Sequence, residues 1–449
     1  MNAVQKNLMR AGVASVGLGA VLLIGSILAR EPAAGADSAT LILQTGWTTA
    51  LDGISSADLK AQYCAGAVSA TRQARRAADS LFACASAGPV LSAEEFYPRS
   101  KDKWILLLLE EAIPRLKTAD LDGISFFADP LKYPAAARPA AEHARKEITH
   151  YILTGVSALT RYTGKSADEH GVQILAQKVK PFFQSADYVH VSNEVSFMNG
   201  CVFAPGTRFC SKEPHFQAYR EIRANVVELT GNHTRDFGDE PFLKTLAWFE
   251  RNGMKTFGGG RNAAQASKPL YLTLKGGGSI SLTGFNELCP LRECADASVP
   301  GANQYTRDRA KSTIDGIRKQ NPRAFIIATV QFGEVNSYKP TENQRKISYD
   351  LAEMGADLVF GSQAHQVQQM EFYRGKILLH GLGNFFFDQT HTFGLRQGYF
   401  MNLYFYKGRL ISMRPVFTWI DERFRPVPAN AEQARQIKES IYSDDLLYR

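Results

Sequence analysis

Between residues 149 and 425, short apolar runs alternate with longer stretches of helical pattern, and that alternation leaves few architectures open. Strand candidates fall at 188–191, 226–229, 270–274, 280–282, 325–330, 358–360 and 377–379, with helix candidates between them at 171–184, 240–252, 306–321 and 342–354. Strands interleaved with helices in this way form sheets covered by helices on their outer faces, so the expected fold class is α/β. Ligands of open α/β sheets sit beyond the carboxyl ends of the strands. The residues that follow each apolar run are therefore the ones to read for chemistry.

Five such segments stand out. The first is 153–161, ending in Arg161, and the second is 187–194, ending in Ser192-Asn193-Glu194. The third follows the run 226–229 with Gly231-Asn232-His233 and continues to Gly258-Gly259-Gly260-Arg261-Asn262. Gly231 permits a sharp turn, Asn232 offers an amide oxygen and His233 an imidazole nitrogen, which is a pattern capable of holding a metal. A strand-end turn with a capping asparagine and a surface histidine is the competing reading. The fourth segment carries Gln331 and Glu334, and the fifth runs from Gly355 through Gln363-Ala364-His365 to Leu382-Gly383-Asn384 and on to Asp388. Asp236 and Gly238 read as helix-start signals, since an acidic side chain suits the amino end of a helix.

The amino terminus reads as a targeting segment. Lys6 and Arg10 precede an uncharged run, 11–29, of 19 residues, and Ala34-Gly35-Ala36 supplies small residues at a cleavage position. A cleaved secretory signal and an uncleaved membrane anchor both fit. Either places the body outside the cytoplasm, with the basic flank inside. Six cysteines in close pairs, Cys64 with Cys84, Cys201 with Cys210 and Cys289 with Cys294, point to three local disulfides in an exported protein.

Residues 1–36 are the signal or anchor, 37–148 an accessory α/β domain, 149–425 the main domain and 426–449 a helical tail. Within the accessory region, 41–44 and 123–127 read as strands, 105–109 as a buried apolar run and 57–81 as helix. The 449 residues carry 52 basic and 44 acidic side chains, a net charge of +8 without a long basic run. That balance allows a mild attraction to anionic polymers or lipid surfaces and gives no basis for nucleic-acid binding.

In order and spacing the five segments resemble the CapA family of capsule and poly-γ-glutamate synthesis proteins, a branch of the calcineurin-like metallophosphoesterases. The resemblance covers about 150–420. It implies a layered α/β/β/α sandwich and a role in making, exporting or trimming an anionic surface polymer, beside a polymer-synthesis membrane complex. The chain departs from the family where ligands are expected. Gly155-Val156 stands where a Gly-Asp pair would supply a carboxylate, Gln331 where a histidine would stand, and Gln363-Ala364-His365 where His-x-His would. Glu194, Asn232, His233 and His365 survive as metal ligands. Neutral amide oxygens bind divalent cations less well than carboxylate or imidazole, so the expectation is one transition metal (Zn, Mn or Fe) or none. Glu194, His233 and Glu334 are the candidate catalytic residues. Arg161, Arg261, Asn262, Gln331, Gln363 and Asn384 are the candidate substrate contacts. A metal-dependent hydrolase and a polymer-binding scaffold both remain open. A further alternative is a metal-free acid–base pair drawn from Glu194, Glu287 and Glu334.

Overall fold

Two sheets stack face to face, and the polarity of their strands brings the strand ends named above to one edge. The computed structural model describes residues 39–204, 206–289 and 293–448. The signal-or-anchor reading of 1–36 lies outside the described residues. Among those described, no helix is long and apolar enough to cross a membrane.

The first sheet runs Lys255–Phe257, Val226–Glu228, Tyr188–Asn193, Thr149–Ser157, Gln397–Tyr406, Arg409–Ile420, Pro426–Pro428, with Asn384–Phe386 also paired to Thr149–Ser157. Its first four strands are parallel, and the long hairpin Gln397–Tyr406/Arg409–Ile420 continues it antiparallel. The second sheet runs Leu270–Thr273, Ser279–Asn286, Phe325–Gln331, Leu358–Ser362, Lys376–Leu379, Met370–Tyr373, with four parallel strands between two antiparallel edges.

Side-chain alternation along these strands builds the layers. Tyr151 and Leu153 face the second sheet and share one core with Leu282, Ile327 and Phe360. Ile152, between them in sequence, points the other way and packs with Leu246 and Phe249 of the helix Asp239–Arg251. Ile326 and Ala328 likewise meet Ile314 and Leu351 from Arg307–Gln320 and Glu342–Met354. The result is an α/β/β/α sandwich. Two faces of each sheet are buried, which is why the parallel strands read as continuous apolar runs.

A small third sheet, Ser69–Ala70, Ile105–Leu108, Leu41–Thr45, Lys117–Thr118, carries the accessory region. Its core is continuous with the core between the large sheets. Phe127 stacks on Tyr404 at 4.1 Å and Arg414 pairs with Asp120 at 2.6 Å, fixing the region to the long hairpin. The carboxyl tail folds back on it, with Tyr442 against Trp47 and Tyr448 against Tyr97.

Three local expectations need correction. The stretch 57–81 is two helices, Ser56–Cys64 and Arg72–Phe82, each with its own Ser or Thr cap. Residues 123–127 are no strand: Asp122 and Gly123 turn the chain at positive φ (+51° and +73°) immediately after Asp120–Leu121. The stretch 171–184 breaks into Gln173–Ala176 and Lys180–Phe183, the second begun by Pro181. The three disulfides pair as the spacing suggests, Cys64–Cys84, Cys201–Cys210 and Cys289–Cys294.

Candidate functional site

The carboxyl ends of both sheets are tied together at one mouth. Ser192 Oγ and Ser362 Oγ, one from each sheet, are 2.8 Å apart, and Asn286 Nδ2 donates to Thr230 O at 2.8 Å. Glu194 leaves the strand Tyr188–Asn193 with its amide bonded to Ser157 O at 2.9 Å. The Gly231-Asn232-His233 turn lies directly on it. A Cβ at position 231 would stand 2.6 Å from Glu194 Cα, so only glycine allows this approach.

His233 Nε2 consequently lies 4.0 Å from Glu194 Oε1, while its Nδ1 meets Asp236 Oδ2 at 2.8 Å. In the neutral ring, an Nδ1–H donated to Asp236 leaves the Nε2 lone pair on the Glu194 side, the orientation that a carboxylate behind a ligating histidine enforces. Burial opposes charge on this ring, but the Asp236 hydrogen bond and the carboxylates of Glu194 and Glu293 outweigh it and hold the pKa above the ordinary histidine value. Glu194 is 2% exposed, and neither of its carboxylate oxygens has a hydrogen-bond partner. A carboxylate sealed from water in that way is costly unless a cation meets it.

The other wall is made of amides. Gln331 Nε2 donates to Asn232 Oδ1 at 3.0 Å and also to Gln363 Oε1, while Gln331 Oε1 is buried without a partner. Gln363 sits at φ +74°, a strained position for a residue other than glycine. Asn384 Oδ1 accepts from His365 Nδ1 at 2.8 Å, and His365 Nε2 faces Glu334 Oε1 at 4.0 Å. The place of the missing carboxylate is filled: Val156 is buried, and Gly155 is packed against the Gly383 carbonyl.

Arg161 joins the two histidine neighbourhoods. Phe209 packs on His233 with centroids 4.2 Å apart and Phe387 on His365 at 4.8 Å. The Arg161 guanidinium lies over both phenyl rings, at 4.5 and 4.9 Å. Asp388 clamps it through Nε at 3.1 Å and Nη2 at 2.5 Å.

Two expected substrate contacts are occupied elsewhere. Arg261 makes a bidentate pair with Glu250 at 2.7 and 2.6 Å, and Asn262 accepts from Gln265 N at 3.0 Å as the cap of Ala263–Ala266. No hydrogen bond or ion pair among the described residues links either to the cluster. The three strand-end glutamates also have separate partners. Glu287 accepts from Gly333 N and Asn343, Glu334 faces His365, and Glu194 faces His233.

Several residues at the site were misread or unread in the sequence. Asp236, read as a helix-start signal, is instead the orienting partner of His233; the helix behind it starts only at Asp239, and Gly238, read the same way, is its cap. The His-x-x-Asp spacing was the available signal. Glu293 is buried, accepts from Arg235 N at 3.2 Å, and is pushed up to about 7 by burial and by the neighbouring Asp236 carboxylate. Phe209 and Asp388 had no local signal.

As a metal centre the donor set is short. Glu194 and His233 are the strong donors that converge, and Asn232 and Gln331 add neutral oxygens. Among the described residues no three of His, Cys, Asp and Glu form a metal-holding group. Such a set could hold one cation completed by water, and it lacks the bridging carboxylate that two ions need.

Comparison with known proteins fits this geometry. The model of the bacterial capsule synthesis protein family PGA_cap matches residues 150–389. The PGA biosynthesis protein CapA of Bacillus subtilis (strain 168) is 24% identical over 264 residues, 57% of this chain and 68% of that protein. The capsule biosynthesis protein CapA of Bacillus anthracis is 22% identical over 258 residues, 56% of this chain and 62% of that one. Among solved structures, that of the Haemophilus influenzae NAD nucleotidase aligns with 65% of this chain and 62% of its own at 11% identity and a TM-score of 0.36, too loose a likeness to carry an argument. The family match spans more than half of the 449 residues and includes every strand end that builds the mouth, so this chain belongs to the PGA_cap family of bacterial capsule synthesis proteins.

Proposed function

We propose that this protein acts on an anionic surface polymer of the capsule or poly-γ-glutamate type, as a hydrolase with a reduced, single-metal centre. The observation that carries the reading is Glu194, a sealed carboxylate with both oxygens unpartnered, opposite a histidine whose far nitrogen is held by Asp236. Glu194 and His233 would hold the ion, with Asn232 and Gln331 as its neutral neighbours. When bound, it would supply Lewis acidity at the scissile amide or phosphoester. Glu334 and His365, facing each other across 4.0 Å, are suited to carry a proton to the leaving group. Gln363 and Asn384 hold the loops that position them. The three disulfides support an exported body, tethered or secreted, working beside the membrane complex that makes the polymer.

A second reading has its own support. Gln331 satisfies Asn232 and Gln363 directly, which is what a cleft that kept its shape and lost its chemistry would do. That protein would be a polymer-binding scaffold. Incubation of the full chain with poly-γ-glutamate and with phosphodiester-linked polymer, each with added Mn or Zn, separates the two. Chain shortening by the parent and none by Glu194→Gln supports the hydrolase. Polymer binding without shortening, equal in both proteins, supports the scaffold.

A further inference from the structure

The edge opposite the mouth, where the parallel strands begin, is built of turns that carry cations, and none of the roles above uses it. Lys275 lies in the turn between Leu270–Thr273 and Ser279–Asn286, and Arg323 in the turn before Phe325–Gln331. Arg374 lies in the hairpin between Met370–Tyr373 and Lys376–Leu379, and Lys407 and Arg409 at the tip of the long hairpin. These turns touch. A Cβ on Gly276 would stand 3.0 Å from Lys407 N, and one on Gly278 would stand 2.9 Å from Gly408 Cα. Arg323, Gly375 and Arg409 line one depression of about 280 Å³. Phe325 and Phe405 join the two sheets beside it, with centroids 5.1 Å apart. The sheets therefore close at this end into one continuous surface.

The charges on that surface do not cancel. Arg318 and Lys376 share Asp357 at 2.7 Å each, Arg374 pairs with Glu353 at 3.1 Å and Lys275 with Asp187 at 2.6 Å. Arg323 and Lys255 are exposed and have no carboxylate partner among the described residues. Arg409 donates only to the backbone oxygens of Glu110 and Ala112. Lys407 is exposed and rests 5.1 Å from the Tyr406 ring, a contact that leaves its charge unbalanced. Glu110 and Glu147 are the carboxylates felt at the hairpin tip. Cations therefore outnumber carboxylates on this edge.

The chain also enters here. Ala39 and Thr40, the first described residues, lie beside Tyr406 and Lys407. The strand Gln397–Tyr406 runs from the mouth to this point, about 30 Å. Residues 30–38, between the uncharged run 11–29 and Ala39, reach at most about 30 Å when fully extended. An apolar run held in a bilayer thus brings this edge, and not the mouth, to the lipid.

We infer that the basic edge docks on an anionic phospholipid surface and turns the mouth away from it, toward the polymer. This rests on the reading of the amino terminus as a membrane anchor. Charge complementarity selects the partner. Turn tips spread over two sheets meet a plane of phosphate headgroups at many points, and each Lys or Arg near such a surface contributes about a factor of five in affinity.

Amide hydrogen exchange of the full chain in nanodiscs, of phosphatidylcholine alone or mixed with phosphatidylglycerol, tests this. The turns at 274–278, 321–324, 373–376 and 406–409 should exchange more slowly in the anionic discs, and high salt should remove the difference. Arg323→Gln with Lys407→Gln should lower that protection about 25-fold, or abolish it where it is smaller, and leave exchange in neutral discs unchanged. Both positions are exposed, so folding is not at stake. Equal exchange in the two kinds of disc, protection confined to the mouth loops, or protection kept by the double variant would overturn the assignment. The same protection produced in neutral discs by added poly-γ-glutamate would give the edge to the polymer and overturn it too. Protein held by neutral discs without lipid-dependent exchange would sink the docking face and leave the anchor standing. Protein lost from neutral discs and kept by anionic ones would contradict the anchor and support the face.

Discussion

Arg161→Leu should destabilise the protein by about 3–5 kcal/mol, the range for breaking a buried pair from one side. The Asp388 side chain is 1% exposed and accepts from Arg161 Nε at 3.1 and 3.2 Å, from Nη2 at 2.5 Å and from Tyr162 N at 2.7 Å. Removing the guanidinium leaves that carboxylate sealed with one N–H. Asp388→Ala is the milder change, about 2–3 kcal/mol, because the guanidinium is 24% exposed and can rehydrate in part. The double variant should then cost little more than Arg161→Leu, a coupling of at least about 2 kcal/mol. Urea unfolding of the four proteins, followed by tryptophan fluorescence with disulfides intact, reads these values from midpoints at constant slope. A cost below about 1 kcal/mol for Arg161→Leu, or additive single variants, would refute the claim that this pair fastens the mouth.

Three further outcomes follow from the same physics. Burial lowers the pKa values of His150, His215 and His380, so the unfolded chain takes up protons below about pH 6.5 that the folded chain refuses. The contribution of these three histidines should be full above that pH and fall as pH drops, by at most about 1.4 kcal/mol per pH unit for each, with His233 and Glu293, whose pKa values are raised, opposing them. A flat stability profile from pH 6.5 to 5 in urea titrations would contradict this. Cys201→Ser with Cys210→Ser should cost about 2–3 kcal/mol from loop-closure entropy and release Phe209 from His233, visible as faster amide exchange across 201–210; unchanged exchange would show that the loop holds itself. In chelator-treated protein, at a pH high enough to leave His233 neutral, Glu194→Gln should raise stability by about 1–3 kcal/mol, since it deletes a sealed charge whose oxygens have no hydrogen-bond partner; a loss of stability there would mean that Glu194 draws support from the protein beyond the charged form of His233.

How much of this was legible depended on range. The parallel strands could be read because burial on both faces makes apolar runs such as 226–229 unbroken. The hairpin Gln397–Tyr406/Arg409–Ile420 could not, because Gln397, Asn402 and Ser412 are polar yet buried, interrupting the pattern on which such a reading relies. Glu194 and His233 stood out as strand-end residues, and the fold does bring them together. The partner of Arg161 lies 227 residues away, and nothing local announces it. Arg261 and Asn262 follow a glycine run that resembles an anion-binding turn, but Glu250 on the adjacent helix and the cap of Ala263–Ala266 engage them. The replacement of ligands by Gln331 and Gln363 was visible as a loss. That Gln331 bonds to both Gln363 and Asn232, and leaves its own oxygen buried and unpartnered, is a property of three strand ends meeting, which no single stretch of sequence contains.

The most direct test of the central claim is metal content. The full chain, freed of metal by a chelator and dialysed against Zn, Mn and Fe in turn, should retain one ion per chain by elemental analysis, and both Glu194→Gln and His233→Gln should retain none. No retained ion in the parent protein, or an ion kept by both variants, would contradict a centre built on Glu194 and His233.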